Sequence, residues 1–325
     1  MYLVGKVRKE CVIKMKNNLD NRFVWLNGEI LHLKDATINI LSPTSQFGAN
    51  VFEGIRCYWN NELNQLYAFR LDDHYKRLQD SIKLFKMKNV YSIDDMRKAF
   101  LEVIKAENYK EDIAVRQTVF IDGMGSWSSK EPVGMFVAPI PKGMPSKEYN
   151  KKGLHCCIST WHRISDMNMS PRIKCGANYI NSRMAQLEAW DNGYDCAIFF
   201  NENGKISEGP GSCIFIVRNN KVITPSISSS ILESITRDTI INILKANGIE
   251  IIERNIERTE LYMCDEAFLC GSAMEVTPIY SVDKYVISNE AGVITKFIHD
   301  EYMNIVRGKN LNFKSWLTPI YGDSI

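Results

Sequence analysis

The chain has 325 residues, 45% of them hydrophobic and 24% charged, a balance that supports buried cores and makes two domains the natural expectation. Lysine and arginine number 40 against 38 acidic residues, a net charge of +2, so charge argues for neither a nucleic-acid partner nor a membrane surface. Nine cysteines with no C-x-x-C spacing, and five histidines that do not pair with them at finger-like spacing, argue against a zinc site and read as reduced thiols in a cytoplasmic protein. No apolar run approaches the ~18 residues of a membrane span, and residues 1–20 lack the continuous apolar stretch of a signal peptide.

In chain order, residues 23–26 and 29–31 flank Asn27-Gly28 and predict a hairpin, and residues 54–59 and 66–70 predict a second. Asp72 then reads as the cap of a helix whose apolar face is Tyr75, Leu78, Ile82 and Phe85. Ser92, with Asp95 three residues on, opens the next helix over Met96, Phe100, Val103 and Ile104. Strands follow at 114–121 and 133–138. The stretch 139–150 is rich in Pro, Gly and polar residues and is the best linker, with Lys151-Lys152 a solvated turn. Beyond it the pattern gives a strand at 154–163 and a helix from Tyr179 to Trp190 that stops at Asn192-Gly193. A hairpin at 196–207 turns at Asn203-Gly204. Strands at 213–218 and 221–224, a helix at 231–246, a strand at 250–253, a short helix near Leu261 and a strand at 267–270 complete the reading. Helices and strands mix without regular alternation, so the expected class is α+β with largely antiparallel sheet.

Several residue groups suit chemistry, though each has a plainer reading. Lys174 lies between a strand and a helix beside Gly176 and Ala177, small residues that let a bulky group approach. A catalytic lysine needs a desolvated site, whereas a loop lysine is ordinarily just solvated. Glu208 precedes Gly-Pro-Gly, which is either a strained functional turn or a plain one. Ser234 to Asp238 put hydroxyls and free N–H groups at a helix start, either an anion site or a cap. Gly271-Ser272 offers a second hydroxyl-bearing turn, and Arg70, at a strand end, a guanidinium for phosphate. Together these are the groups that a phosphorylated cofactor with an aldehyde and a ring nitrogen requires.

In order and separation the motifs resemble the fold-type IV pyridoxal-phosphate enzymes, and among them the branched-chain amino acid aminotransferases. The matching stretches are Phe47-Gly48 with Val51-Phe52-Glu53-Gly54-Ile55-Arg56-Cys57-Tyr58; Phe69-Arg70 with His74 and Arg77-Leu78; Ile173-Lys174-Cys175-Gly176-Ala177-Asn178-Tyr179; Gly204 with Ile206-Ser207-Glu208-Gly209; Ile235-Thr236-Arg237-Asp238; and Gly271 to Pro278. The resemblance implies a small N-terminal domain over 23–141, an interdomain loop at 142–149 and a larger cofactor domain over 150–325, with pyridoxal 5′-phosphate between the domains. Residues 1–22 form an extension before the usual start. Lys174 would carry the cofactor as an internal aldimine and shuttle the substrate's proton. Glu208 would face the ring nitrogen, Tyr179 the phenolic oxygen, and Leu232 the ring. Arg70, the N–H groups of Ile235 and Thr236, and Ser272 would hold the phosphate. Phe52, Gly54, Arg56 and Ala273 would lie beside the substrate, and Arg116 would accept the side-chain carboxylate of glutamate. The resemblance also implies at least a homodimer, in which Phe47 and the loop carrying Met124 reach the neighbouring pocket.

The implied activity is transfer of an amino group from an L-amino acid to 2-oxoglutarate. A D-amino acid or (R)-amine transaminase, aminodeoxychorismate lyase, and a non-catalytic cofactor-binding relative are the rivals. Several positions depart from the bacterial pattern. Phe47, Ala114 and Pro145 stand where tyrosines are usual, so modest activity on branched-chain donors is expected, with a bulkier or differently shaped amino donor used as well or better. The usual Leu-Pro-Gly-Ile-Thr is here Leu232-Glu233-Ser234-Ile235-Thr236, and Ser272 replaces a threonine.

Overall fold

A computed structural model describes residues 22–141 and 153–322. The interdomain loop expected at 142–149, with Pro145, and nearly all of the extension expected at 1–22 lie outside the described residues.

The strands of the first half are β1 (Phe23–Leu26), β2 (Glu29–His32), β3 (Asn50–Asn60), β4 (Gln65–Phe69), β5 (Ile113–Ile121), β6 (Val133–Pro141) and, from the far end of the chain, β15 (Leu317–Pro319). They build one sheet of antiparallel neighbours in the order β15-β4-β3-β5-β6-β1-β2. The β1-β2 hairpin forms as expected, with Asn27 and Gly28 both at positive φ, as its two-residue turn requires. The α-helices of this half are α1 (Pro43–Phe47), α2 (Leu71–Leu84) and α3 (Ile93–Glu107). The apolar faces of α2 and α3 bury Tyr75, Leu78, Ile82, Phe100 and Ile104 in one core with Val51 and Ile55 of β3 and Val115 of β5. Burial of such side chains contributes about 1.5–3 kcal/mol each. The capping box at Ser92 and Asp95 is present with both of its hydrogen bonds.

The strands of the second half are β7 (Leu154–His162), β8 (Cys196–Phe200), β9 (Cys213–Arg218), β10 (Lys221–Thr224), β11 (Ile251–Glu253), β12 (Glu266–Gly271), β13 (Glu275–Val282) and β14 (Tyr285–Val286). They form a mixed sheet in the order β11-β10-β9-β12-β13-β7-β8, with β14 paired to β13. Both faces are covered over β8, β9, β12 and β13, whose residues are buried almost without interruption rather than in alternation. On one side α5 (Ile235–Ala246) and α7 (Val293–Val306) pack Ile240, Leu244, Ile298 and Tyr302 against Phe215 and Phe268. Elsewhere Ile206, Ile214, Ile216, Leu261 and Leu269 share a core, to which α6 (Arg258–Tyr262) contributes Leu261, and α4 (Tyr179–Asp191) packs Ala185 and Ala189 on Phe199.

The structure corrects several expectations. Helix α2 starts at Leu71 with Arg70 at its N-cap in the left-handed conformation, and Asp72 lies in its first turn instead of capping it. Helix α5 starts at Ile235 rather than 231, because Ser234 Oγ accepts the Arg237 N–H and ends the extended approach there. The hairpin after β8 keeps one bridge, Phe200 to Ile206, in place of a second strand. Beyond Cys270 the sequence reading assigns no element, yet β13, β14, α7 and β15 follow. Strand β15 pairs with β4, so the end of the segment assigned to the second domain returns to the first sheet. Among the described residues no helix is long and apolar enough to cross a membrane.

Candidate active site

The Lys174 loop is held against β3. The Phe52 N–H donates to the Lys174 carbonyl at 2.9 Å, and Val51 bridges Cys175. The Asn178 side-chain amide donates to the carbonyls of Ser170 and Ile173, and Ser81 Oγ accepts the Lys174 N–H at 3.2 Å. Gly176 packs closely on the Asn50 side chain: a Cβ on it would meet Asn50 Oδ1 at 2.8 Å and push that amide aside. Fixed in this way, Lys174 Nζ lies 2.9 Å from the Tyr179 hydroxyl and 5.1 Å from the centre of the Phe52 ring.

Lys174 and Tyr179 face a cavity of about 280 Å³ between the two sheets, which Glu208 also lines. Glu208 is buried; its Oε1 accepts from Arg163 Nε at 2.7 Å and its Oε2 from the Leu232 N–H at 3.2 Å. Burial pushes its carboxyl above the ordinary carboxylate value, while Arg163, the Leu232 N–H and Lys174 act against that. Leu232, Ser234 and Ile235 form the approach to α5 and its first turn. Ser234 Oγ accepts the Arg237 N–H, whereas the N–H groups of Ile235 and Thr236, at the first two helical positions, have no intrahelical acceptor. The lining also includes Gly271, Ser272 and Ala273, with Gly54, Ala114 and Phe52 of the first sheet. A Cβ on Gly54 would have nothing within 4 Å.

The arginines differ in what occupies them. Arg56 lines the cavity, but its Nε donates to the Ser272 carbonyl at 2.9 Å and its Nη2 to Glu275 at 3.0 Å. The Arg116 guanidinium stacks over Phe52 at 4.0 Å and makes no hydrogen bond or ion pair among the described residues. Arg70 does not line the cavity. Its guanidinium lies against the first turn of α5, bonded to the Ile235 carbonyl, Asp238 and Thr239, and over Trp316 at 4.9 Å. Thr236 is buried outside the cavity lining. Phe47 and Met124 also lie outside it, and their exposures of 48% and 73% leave them on the surface of this chain.

Sequence reasoning assigned no role to Arg163, nor to the buried group Glu53, His74 and Arg77 beside the cavity. Arg77 pairs with Glu53 and lines the site. His74 and Arg77 belong to a matched motif and so carried a signal; Arg163 ends a strand like many surface arginines and carried none.

The family model described as amino-transferase class IV matches residues 50–282. The chain is a class IV aminotransferase. It belongs to the branched-chain amino acid aminotransferase family: a probable branched-chain-amino-acid aminotransferase of Aquifex aeolicus is 37% identical over 301 residues, 92% of this chain and 97% of that protein. The crystal structure of a branched-chain amino acid aminotransferase from Thermobaculum terrenum in its PLP form is 40% identical, with a TM-score of 0.88, and the match covers 94% of this chain and 100% of that one. The T.th. branched-chain amino acid aminotransferase complexed with N-(5′-phosphopyridoxyl)-L-glutamate is 31% identical with a TM-score of 0.88, covering 93% and 100%. The aminotransferase uses pyridoxal 5′-phosphate. Its cavity fits that group chemically, since it offers a primary amine beside a phenol, a buried carboxylate paired to an arginine, and open helix N–H groups.

Proposed function

We propose that the enzyme moves the α-amino group of an L-amino acid, branched-chain or bulkier, to 2-oxoglutarate in two half-reactions at this cavity. The observation that carries the reading is Lys174 Nζ set 2.9 Å from Tyr179 OH in one cavity with Glu208. Pyridoxal 5′-phosphate, when bound, supplies an electron sink that stabilises negative charge at the substrate Cα. Lys174 anchors the cofactor and moves the proton from the substrate Cα, as general base and then acid. Tyr179 donates to the cofactor's phenolic oxygen. Glu208 holds a proton at the ring nitrogen, and Leu232 packs on the ring. The open N–H groups of Ile235 and Thr236, the Ser272 hydroxyl and Arg70 hold the phosphate, which the α5 dipole also favours.

Gly54, Phe52 and Ala273 bound the substrate. Arg116 is a guanidinium without an acidic partner among the described residues, and a side-chain carboxylate is its natural ligand; the glutamate adduct of the T.th. enzyme supports a dicarboxylate acceptor. Arg56 is committed to Glu275 and Ser272, so its role is to fix the turn that presents Ser272 and Ala273. Two domains, residues 23–141 with β15 and the rest of residues 153–322, enclose the site. The test is a spectrophotometric screen of single half-reactions with L-leucine, L-phenylalanine, L-glutamate and D-alanine. L-Glutamate and a neutral L-amino acid should each convert the cofactor to its amine form. Conversion by D-alanine alone overturns the reading.

A further inference from the structure

We infer that Arg163 is a positioning residue for the reaction: its ion pair keeps the buried Glu208 ionised, and so able to hold a proton on the cofactor's ring nitrogen. This rests on the proposed placement of the ring nitrogen at Glu208.

The geometry is specific. Arg163 Nε donates to Glu208 Oε1 at 2.7 Å, and the side chains of the two are 8% and 4% exposed. Arg163 is itself held from three sides. Its backbone N–H donates to the Phe200 carbonyl at 2.7 Å, its Nη1 to Asn181 Oδ1 at 3.2 Å, and its guanidinium lies 5.8 Å from the centre of Phe199. Asn181 sits on α4, the helix that Tyr179 begins, so one helix sets both the phenol and the arginine.

The groups facing Glu208 are few. Arg163 and Lys174 are the cations, the Leu232 N–H is a neutral donor, and Cys213 of β9 and Cys270 of β12 are buried thiols pushed upward by burial. A carboxylate in such a site is neutral unless a cation and hydrogen bonds offset its lost hydration. Lys174 becomes engaged with the cofactor, which leaves Arg163 as the permanent cation. A neutral Glu208 carries no charge to hold a proton on a ring nitrogen, so loss of Arg163 acts on the chemistry through Glu208.

The test compares Arg163→Met, Arg163→Lys and wild type, each with and without Glu208→Gln. In the cofactor-free proteins, infrared difference spectra taken within each background, with Glu208 against Glu208→Gln, isolate the signal of the one carboxyl. They should show a protonated carboxylic acid at neutral pH for Arg163→Met, and a carboxylate for wild type and Arg163→Lys. In the loaded enzymes, Arg163→Met should slow the single-turnover half-reaction at least tenfold at neutral pH. Its rate should then climb with pH through a titration that wild type lacks and Glu208→Gln abolishes, and Arg163→Lys should restore most of the rate. A carboxylate in cofactor-free Arg163→Met, or a pH profile parallel to wild type, overturns the inference. If instead Glu208→Gln alone leaves the half-reaction rate unchanged, the placement of the ring nitrogen fails, while the infrared result still reports on the ion pair.

Discussion

Glu53 and Arg77 meet as a parallel pair beneath the cavity: Arg77 Nε donates to Glu53 Oε1 at 2.8 Å and Nη2 to Oε2 at 2.7 Å. Glu53 is fully buried on β3, and His74, one turn before Arg77 on α2, contacts its Oε2 at 2.7 Å. Arg77 also donates from Nη1 to the Glu233 carbonyl at 2.8 Å. One carboxylate thus ties the first sheet, through α2, to the turn that leads into α5.

Burial alone would raise the Glu53 carboxyl, but Arg77 and His74 outweigh it and hold it well below the ordinary 4.5. Burial also lowers His74, against the opposing pull of Glu53, and Arg77 supplies the permanent charge of the group. A depressed folded-state pKa contributes stability that is present above the unfolded value and lost as pH falls below it. Glu53→Gln should therefore cost about 3–5 kcal/mol at neutral pH, the range for breaking a buried pair. The gap from wild type should shrink as pH drops below 4.5. Denaturant unfolding of the cofactor-free proteins at a series of pH values checks this, and a gap independent of pH refutes it.

Among the described residues Lys174 is the only lysine lining the cavity, so borohydride treatment of the loaded enzyme should fix the cofactor to a single tryptic peptide that contains it. Lys174→Ala should abolish turnover while leaving the unfolding midpoint close to wild type, because the loop is held by backbone and Asn178 bonds rather than by the amine. Mass spectrometry that finds the label on another lysine refutes the assignment.

Phe47 on α1 and Met124 and Trp127 on the nearby loop are large apolar side chains left exposed, Trp127 at 76%. Gly125 brings that loop against Pro43 of α1. Apolar surface of this kind is characteristic of an interface. Light scattering should give at least a dimer at micromolar protein, and Trp127→Lys with Met124→Lys should shift it toward monomer and lower activity. A fully active monomer of the wild-type chain contradicts a shared site.

What the sequence revealed depended on whether the signal was local. The Asn27-Gly28 hairpin and the Ser92 capping box are decided by neighbours within a few positions, and they formed as read. The packing of Gly176 against Asn50 and the position of β15 against β4 depend on contacts from distant elements, whereas the start of α5 is set locally by the Ser234 cap. Helix α7 was missed although its signal is local: Ile294, Ile298, Tyr302 and Ile305 recur at helical spacing. Arg163 was not legible: only the meeting of β7's end with Glu208 gives it meaning.

Ala114 sets the expected range of amino donors. It lines the cavity on β5, two residues from Arg116, at a position where the resemblance to the bacterial enzymes implies a tyrosine. Gly54, which lies close to it across the β3-β5 ladder, has open space in place of a side chain. Trp127 does not line this chain's cavity and so leaves that space open in it. An isopropyl group leaves such a volume partly empty, whereas an aromatic ring fills it, and each lost apolar contact is worth roughly 10–200-fold in discrimination. L-Phenylalanine and L-methionine should therefore match or exceed L-leucine in kcat/KM with 2-oxoglutarate as acceptor. Ala114→Tyr should restore the ring, lower kcat/KM for phenylalanine at least tenfold and leave that for leucine the same or higher. The effect should fall on discrimination alone, because Lys174, Tyr179 and Glu208 are untouched and the single-turnover rate with L-glutamate should hold. A wild-type preference for leucine of a hundredfold over both bulkier donors would mean that a partner subunit or residues 142–152 fill the space, and the open-pocket reading would be wrong.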